Sequence, residues 1–112
     1  MAAPGAWPPI TIGERHWIDR GVRSPANADL AAGYQRVVVI ALITRGFQSS
    51  LSSQASALTA GGTSVAVIEP DTAAARFIGR KGLDPALRAP AARAGYAQAP
   101  YEADRVAAVW TG

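Results

Sequence analysis

The side chains in this sequence that could do chemistry are the Asp19 carboxylate, the His16 imidazole, the Ser64 hydroxyl and the paired carboxylates of Glu69 and Asp71 around Pro70. Asp19 is the most informative of them. It follows a short alternating segment and precedes a glycine-containing turn, and functional acids often occupy strand ends, held by a scaffold and open to solvent. The competing reading is an aspartate that caps a turn through its own side chain. His16 could serve as a general base. Strand alternation, however, puts Arg15, Trp17 and Asp19 on one face and His16 with Ile18 on the other, so His16 and Asp19 should not meet. Ser64 lies in Gly62-Thr63-Ser64-Val65-Ala66, which superficially looks like a nucleophile elbow. An elbow needs a strand before the serine and a helix after it; here the order is reversed, which assigns Ser64 to strand entry. Glu69 and Asp71 could hold a metal, but a polar loop at the tip of a sheet explains them as well.

The elements that would position these groups follow from periodicity and punctuation. Pro4, Gly5, Pro8 and Pro9 favour an extended lead-in. Ile10 to Ile12, a Gly13-Glu14 turn and Arg15 to Ile18 predict a β-hairpin that delivers Asp19 at its end. Asn27 is a candidate N-cap for a short helix through Ala32, with Gly33 as its left-handed terminator. Arg36 to Ile43 is β-branched and apolar on both faces, as a strand covered from both sides would be. Gln48 to Ala60 sets Leu51, Ala55 and Leu58 at helical spacing with its serines outward, Gly61-Gly62 ends it, and Thr63 to Ile68 is a second strand. Strand, helix and strand over about 30 residues make a βαβ crossover, hence a parallel pair. Asp84-Pro85 is a helix start. That helix should run toward Ala97, kinked or restarted at Pro90. Pro100 then separates it from a last helix, Tyr101 to Trp110, with Val106, Val109 and Trp110 inward. The expected architecture is α/β: a partial three-layer sheet with an N-terminal hairpin, one parallel βαβ unit and C-terminal helices.

Composition narrows the classes of function. The 112 residues suffice for one core. Hydrophobic residues reach 49%, but much of that is alanine, so the core should be thin. There is no cysteine and one histidine, which excludes a disulfide framework, a thiolate metal site and a histidine metal cluster, and no cofactor is implied. A net charge of +3, spread along the chain, gives no basis for nucleic-acid binding. Arg76, Arg80, Lys81, Arg88 and Arg93 thicken the C-terminal half and would suit an anionic membrane surface or phosphate, the basis for reading the chain as a small anion-binding α/β domain; the simpler reading is a solvated helix surface, since ordinary helix surfaces look like this. No apolar run approaches the roughly 20 residues of a membrane helix, and the start lacks the basic and apolar regions of a secretory signal. A cytoplasmic location, with peripheral membrane attachment as an extension of it, is the expectation.

A resemblance enters through an ordered series of short motifs. Trp7-Pro8-Pro9, Trp17-Ile18-Asp19-Arg20-Gly21-Val22-Arg23-Ser24-Pro25, Asn27-Ala28-Asp29-Leu30-Ala31, Arg36-Val37-Val38-Val39, Val67-Ile68-Glu69-Pro70-Asp71, Leu83-Asp84-Pro85-Ala86 and Ala91-Ala92-Arg93-Ala94-Gly95 together resemble the C-terminal portion of patatin-like phospholipases. That family uses a Ser-Asp dyad: a serine in G-x-S-x-G attacks the acyl carbonyl, a glycine-rich loop stabilises the oxyanion, and the aspartate of Asp-Gly-Gly or Asp-Gly-Ala is the base. The resemblance implies that Asp19 is this aspartate and that a lipid or other acyl ester is the substrate. The serine and the oxyanion loop precede this region in the family and do not occur in this sequence, so the chain alone should not hydrolyse esters. Two departures stand out. Asp19-Arg20-Gly21 puts arginine where the family has glycine, which would obstruct a left-handed turn or a close substrate approach, and a nearby positive charge favours the carboxylate over the acid and weakens it as a base. Met1 also falls inside the pattern that leads into Trp7-Pro8-Pro9, as in a truncated reading frame or a split gene. The rival expectations are a non-catalytic remnant or interaction module and the small anion-binding domain.

Overall fold

The computed structural model describes residues 8–19, 23–24, 26–42, 48–78 and 84–112. Its elements are β1 (Ile10–Ile12), β2 (Arg15–Trp17), β3 (Arg36–Ile40), α1 (Gln48–Ala60), β4 (Ser64–Ile68), α2 (Thr72–Ile78) and α3 (Arg88–Thr111), with 3-10 turns at Ala28–Ala31 and Pro85–Leu87. β1 and β2 form an antiparallel hairpin, and β3 and β4 a separate parallel pair. The α/β expectation, with a hairpin, one parallel βαβ unit and C-terminal helices, is met.

Each element has a local cause. Gly13 supplies the left-handed residue of the hairpin turn at φ 63°, a conformation that costs glycine nothing. The hairpin register sets Ile10 opposite Trp17, Thr11 opposite His16 and Ile12 opposite Arg15. α1 buries Leu51 and Leu58 and turns Ser52, Ser53 and Ser56 to solvent, as its spacing predicts. It ends in a Schellman motif: the Thr63 N–H reaches back to the Leu58 carbonyl at 3.0 Å and the Gly62 N–H to the Thr59 carbonyl at 3.0 Å, with Gly62 at φ 91°.

The parallel pair is the centre of the molecule. Arg36 aligns with Ser64 and Ile40 with Ile68. The Ser64 N–H donates to Gln35 O at 2.8 Å and the Ala41 N–H to Ile68 O at 2.9 Å. One face carries Val37, Val39, Ala41, Val65 and Val67 against Leu51 and Leu58 of α1 and against Ala26 and Ala28, which makes the main core. The opposite face, with Ile40 and Ile68, looks toward Ala74 and Ile78 of α2 and toward Ala91, Gly95 and Val106 of α3. Helices therefore lie on both faces, as the doubly apolar strand required. The core is thin, with no side chain of the described residues fully enclosed.

Several sequence expectations are corrected. The strand predicted to reach Ile43 stops at Ile40; Ala41 and Leu42 are described outside it, and Ile43 lies outside the described residues. Asn27 precedes a 3-10 turn and makes no side-chain cap, having itself entered the left-handed region at φ 48°. The helix after Asp84 begins as predicted, with the Asp84 carboxylate accepting from the Ala86 N–H at 3.0 Å and Pro85 at the start, but α3 then runs unbroken to Thr111 with Pro100 inside it. Pro90 falls in the first turn, where a missing N–H removes no helical bond. Pro100 is accommodated on the solvent side, where Tyr96, whose carbonyl loses its partner, is 85% exposed and water can satisfy the freed group. Pro100→Ala is expected to stabilise the chain by about 1 to 3 kcal/mol, the usual cost of an internal helical proline; a urea midpoint that stays or falls would show that the helix is already broken there. Trp110, expected inward, is half exposed at 55%. α2 has no counterpart in the sequence reading, although its start is signalled: the Asp71 carboxylate accepts from the Ala74 N–H at 2.8 Å, a standard N-cap bond.

Candidate functional site

Asp19 lies just past the end of β2 and is exposed. A buried position facing no incoming hydroxyl would have excluded it as a base, and that is not where it sits. Arg20 and Gly21, the rest of its motif, lie outside the described residues. The scaffold behind Asp19 is slight, because every residue of β1 and β2 is exposed, including Ile10 at 61%, Ile12 at 63% and Trp17 at 52%. By cross-strand pairing these three share one face of the hairpin with Arg15.

His16 is engaged by its own hairpin. Its Nδ1 lies 3.0 Å from the Thr11 hydroxyl directly across the ladder. Ser64 is the first residue of β4, after a helix, and its N–H is committed to the strand pair. The nucleophile-elbow context is absent at Ser64.

The loop that follows the Asp19 motif is fastened to α1. Gln54 carries the fastening: its Nε2 donates to the Ser24 hydroxyl at 3.2 Å and its Oε1 accepts from the Ala28 N–H at 3.2 Å. Ser24 is buried, and the Asn27 side chain donates to its carbonyl at 2.6 Å. Arg23 adds an ion pair, with Nη1 3.0 Å from Asp29 Oδ1. The Asp29 carboxylate, chiefly by hydrogen bonding and then by charge, holds the Arg23 guanidinium still more firmly in its protonated form.

Glu69 and Asp71 meet a polar bracket that the sequence reading missed. Gln98 on α3 is only 7% exposed. Its Nε2 donates to the Glu69 carbonyl at 2.7 Å and to Glu102 Oε1 at 3.2 Å, while its Oε1 accepts from the Asp71 N–H at 3.0 Å. Two turns further on, Arg105 Nη2 donates to the Val67 carbonyl at 2.8 Å and Nη1 to Glu102 Oε2 at 2.8 Å. The parallel ladder points the odd-numbered residues of β4 away from β3, so Gln98 and Arg105 occupy backbone acceptors along the outer edge of that strand. Glu69 and Asp71 are thus a loop and a helix cap. Among the described residues no group of three His, Asp or Glu side chains could hold a metal ion.

Of the basic residues in the C-terminal half, Arg76, Arg88 and Arg93 are exposed on α2 and α3, and Arg80 and Lys81 lie outside the described residues. No described helix is long and apolar enough to cross a membrane.

Set against known proteins, the chain matches no family model, no curated protein and no solved structure. The candidate site consists of one exposed carboxylate at a hairpin end, followed by a loop tied to α1.

Proposed function

We propose that this chain is the base-bearing segment of a patatin-like serine acyl hydrolase, with Asp19 as the proton acceptor and the nucleophilic serine supplied by a segment outside this sequence. The observation that carries the reading is the exposed carboxylate of Asp19 at the end of β2, within a series of motifs that runs in that family's order. Proton transfer needs a base within hydrogen-bond reach of the hydroxyl, and a carboxylate at a strand end can be approached by one.

The chemistry then has a simple balance. The serine oxygen bonds to the acyl carbon of a lipid or other ester as its proton passes to Asp19. The carbon–oxygen bond to the alcohol breaks, and Asp19 returns the proton to the departing oxygen. Water repeats the exchange to release the acid. Free aspartate, with a pKa of about 3.9, is a weak base, so the reaction depends on placement and on oxyanion donors from the complementary segment.

Two measurements test this. The coding sequence upstream of Met1 should contain, in frame or in an adjacent frame, a G-x-S-x-G on a strand-to-helix turn; its absence there overturns the reading for this gene product. The purified chain should hydrolyse p-nitrophenyl esters no faster than its Asp19→Ala variant. Serine-type turnover by the chain alone would refute the absence of a nucleophile.

A second reading, a non-catalytic interaction module, is favoured by the exposed apolar face of Ile10, Ile12 and Trp17. It predicts a partner that protects this hairpin and is indifferent to Asp19→Ala.

A further inference from the structure

The two edges of the parallel pair are not equivalent. Gln98 and Arg105 occupy acceptors on the outer edge of β4. On β3, the ladder to β4 uses the odd-numbered residues, as the bonds at Gln35 and Ala41 show, so Arg36, Val38 and Ile40 aim their N–H and C=O groups at the opposite edge. Among the described residues no strand pairs with that edge. On that edge Ile40 is 68% exposed, and just beyond the two ends of the strand Leu42 is 60% and Tyr34 68% exposed. Trp110, 55% exposed, borders a groove with Ile40 and Leu42 and a recess with Tyr34 and Arg36. A row of backbone groups flanked by exposed apolar side chains is a template for a further strand.

We propose that the β3 edge pairs with the β3 edge of a second copy of this chain, antiparallel about a twofold axis at Val38, to give a closed four-stranded sheet. The register follows from the residues. With Val38 facing its own copy, Arg36 lies opposite Ile40, where its aliphatic stem can cover the isoleucine, and Tyr34 lies opposite Leu42. The two Arg36 side chains then stand four positions apart along the strands, about 14 Å, beyond the roughly 8 Å over which exposed charges interact at physiological salt. A register centred on Arg36 would oppose like charges and leave Ile40 and Leu42 bare. Parallel pairing would not close, because a twofold contact uses the same patch on both copies. The bracketed β4 edge directs growth to β3 alone and stops the sheet at two copies. The pairing requires neither Asp19 nor any acyl chemistry.

Light scattering coupled to size exclusion, over about 1 to about 100 μM of the full chain, should show a monomer giving way to a dimer and nothing larger. Ile40→Lys replaces a side chain outside the core with one that natural sheet edges use against pairing; it should weaken the dimer at least tenfold with an unchanged circular dichroism spectrum. The chain has no native cysteine, so a variant with both Tyr34→Cys and Leu42→Cys should form disulfide-linked dimers on mild oxidation, since directly opposed residues fall within disulfide reach, whereas Tyr34→Cys alone should not. A chain that stays monomeric, that grows open-ended oligomers, that dimerises undiminished as Ile40→Lys, or that cross-links as readily through Tyr34→Cys alone would overturn the proposal. So would a monomer whose Val38 and Ile40 amides exchange slowly, which would mean that another segment of the chain holds the edge.

Discussion

Replacing Leu58 with alanine is expected to bring the chain to the edge of unfolding at room temperature. Leu58 is 4% exposed and Leu51 7%, and among the described residues these are the only leucines in the main core; the rest are valine and alanine. Truncating a buried leucine costs about 2 to 5 kcal/mol through lost transfer energy and the cavity left behind. Small domains have only about 5 to 15 kcal/mol in total, and a thin core puts this chain at the lower end. Leu58 also closes the helix, since its carbonyl accepts from the N–H groups of Gly61 and Thr63, so a shift of its backbone would loosen the entry to β4. Urea denaturation followed by circular dichroism is the measurement. A midpoint within about 0.5 kcal/mol of the parent, the range of ordinary surface changes, would mean that the α1 face is not where this chain holds itself together.

The second large effect is expected at Gln98. Alanine there removes three hydrogen bonds at once and takes the side-chain partner away from the Glu69 carbonyl and the Asp71 N–H, which are part-buried where they meet Gln98. A hydrogen bond contributes about 0.5 to 1.5 kcal/mol net, which sets the expected loss of three at about 1.5 to 4.5 kcal/mol. A sharper variant is Gln98→Glu. The Asp71 N–H would still find an acceptor, but the Glu69 carbonyl would lose its donor and face an anion, with Glu102 beside it. Gln98→Glu should therefore be less stable than Gln98→Ala at neutral pH and recover as the carboxyl is protonated. Equal stability of the two variants across that range would show that water, not Gln98, serves the β4 edge.

The sequence showed most clearly what depends on local periodicity. The hairpin was legible because Gly13 sits between alternating segments, and the βαβ unit because β-branched runs flank a helix closed by Gly61-Gly62. Three things were not legible, each for a physical reason. α3 runs through Pro100 because the proline falls on the exposed side, and helix-breaking rules carry no knowledge of which side meets water. Gln98 and Gln54 were missed because the expected inward stripe consists of apolar residues; a glutamine on that stripe looks like a defect until the backbone groups it serves, on a strand and a loop far away in sequence, are known. The short strand β3 ends at Ile40 although the apolar run continues, because only residues opposite a partner belong to a ladder, and β4 turns away after Ile68. Asp19 is singled out by its place at the end of an alternating segment, and the structure puts it, exposed, just past β2.

Two short strands exposed on every side do not hold their shape in water by themselves, and Ile10, Ile12 and Trp17 contribute little while they face solvent. The amides of Thr11 and His16 should therefore be among the earliest to exchange, and a protease should clip near the hairpin before the helices. Any aim that the Asp19 carboxylate takes is then set by whatever grips those three apolar side chains, so that its usefulness as a base would be conferred from outside.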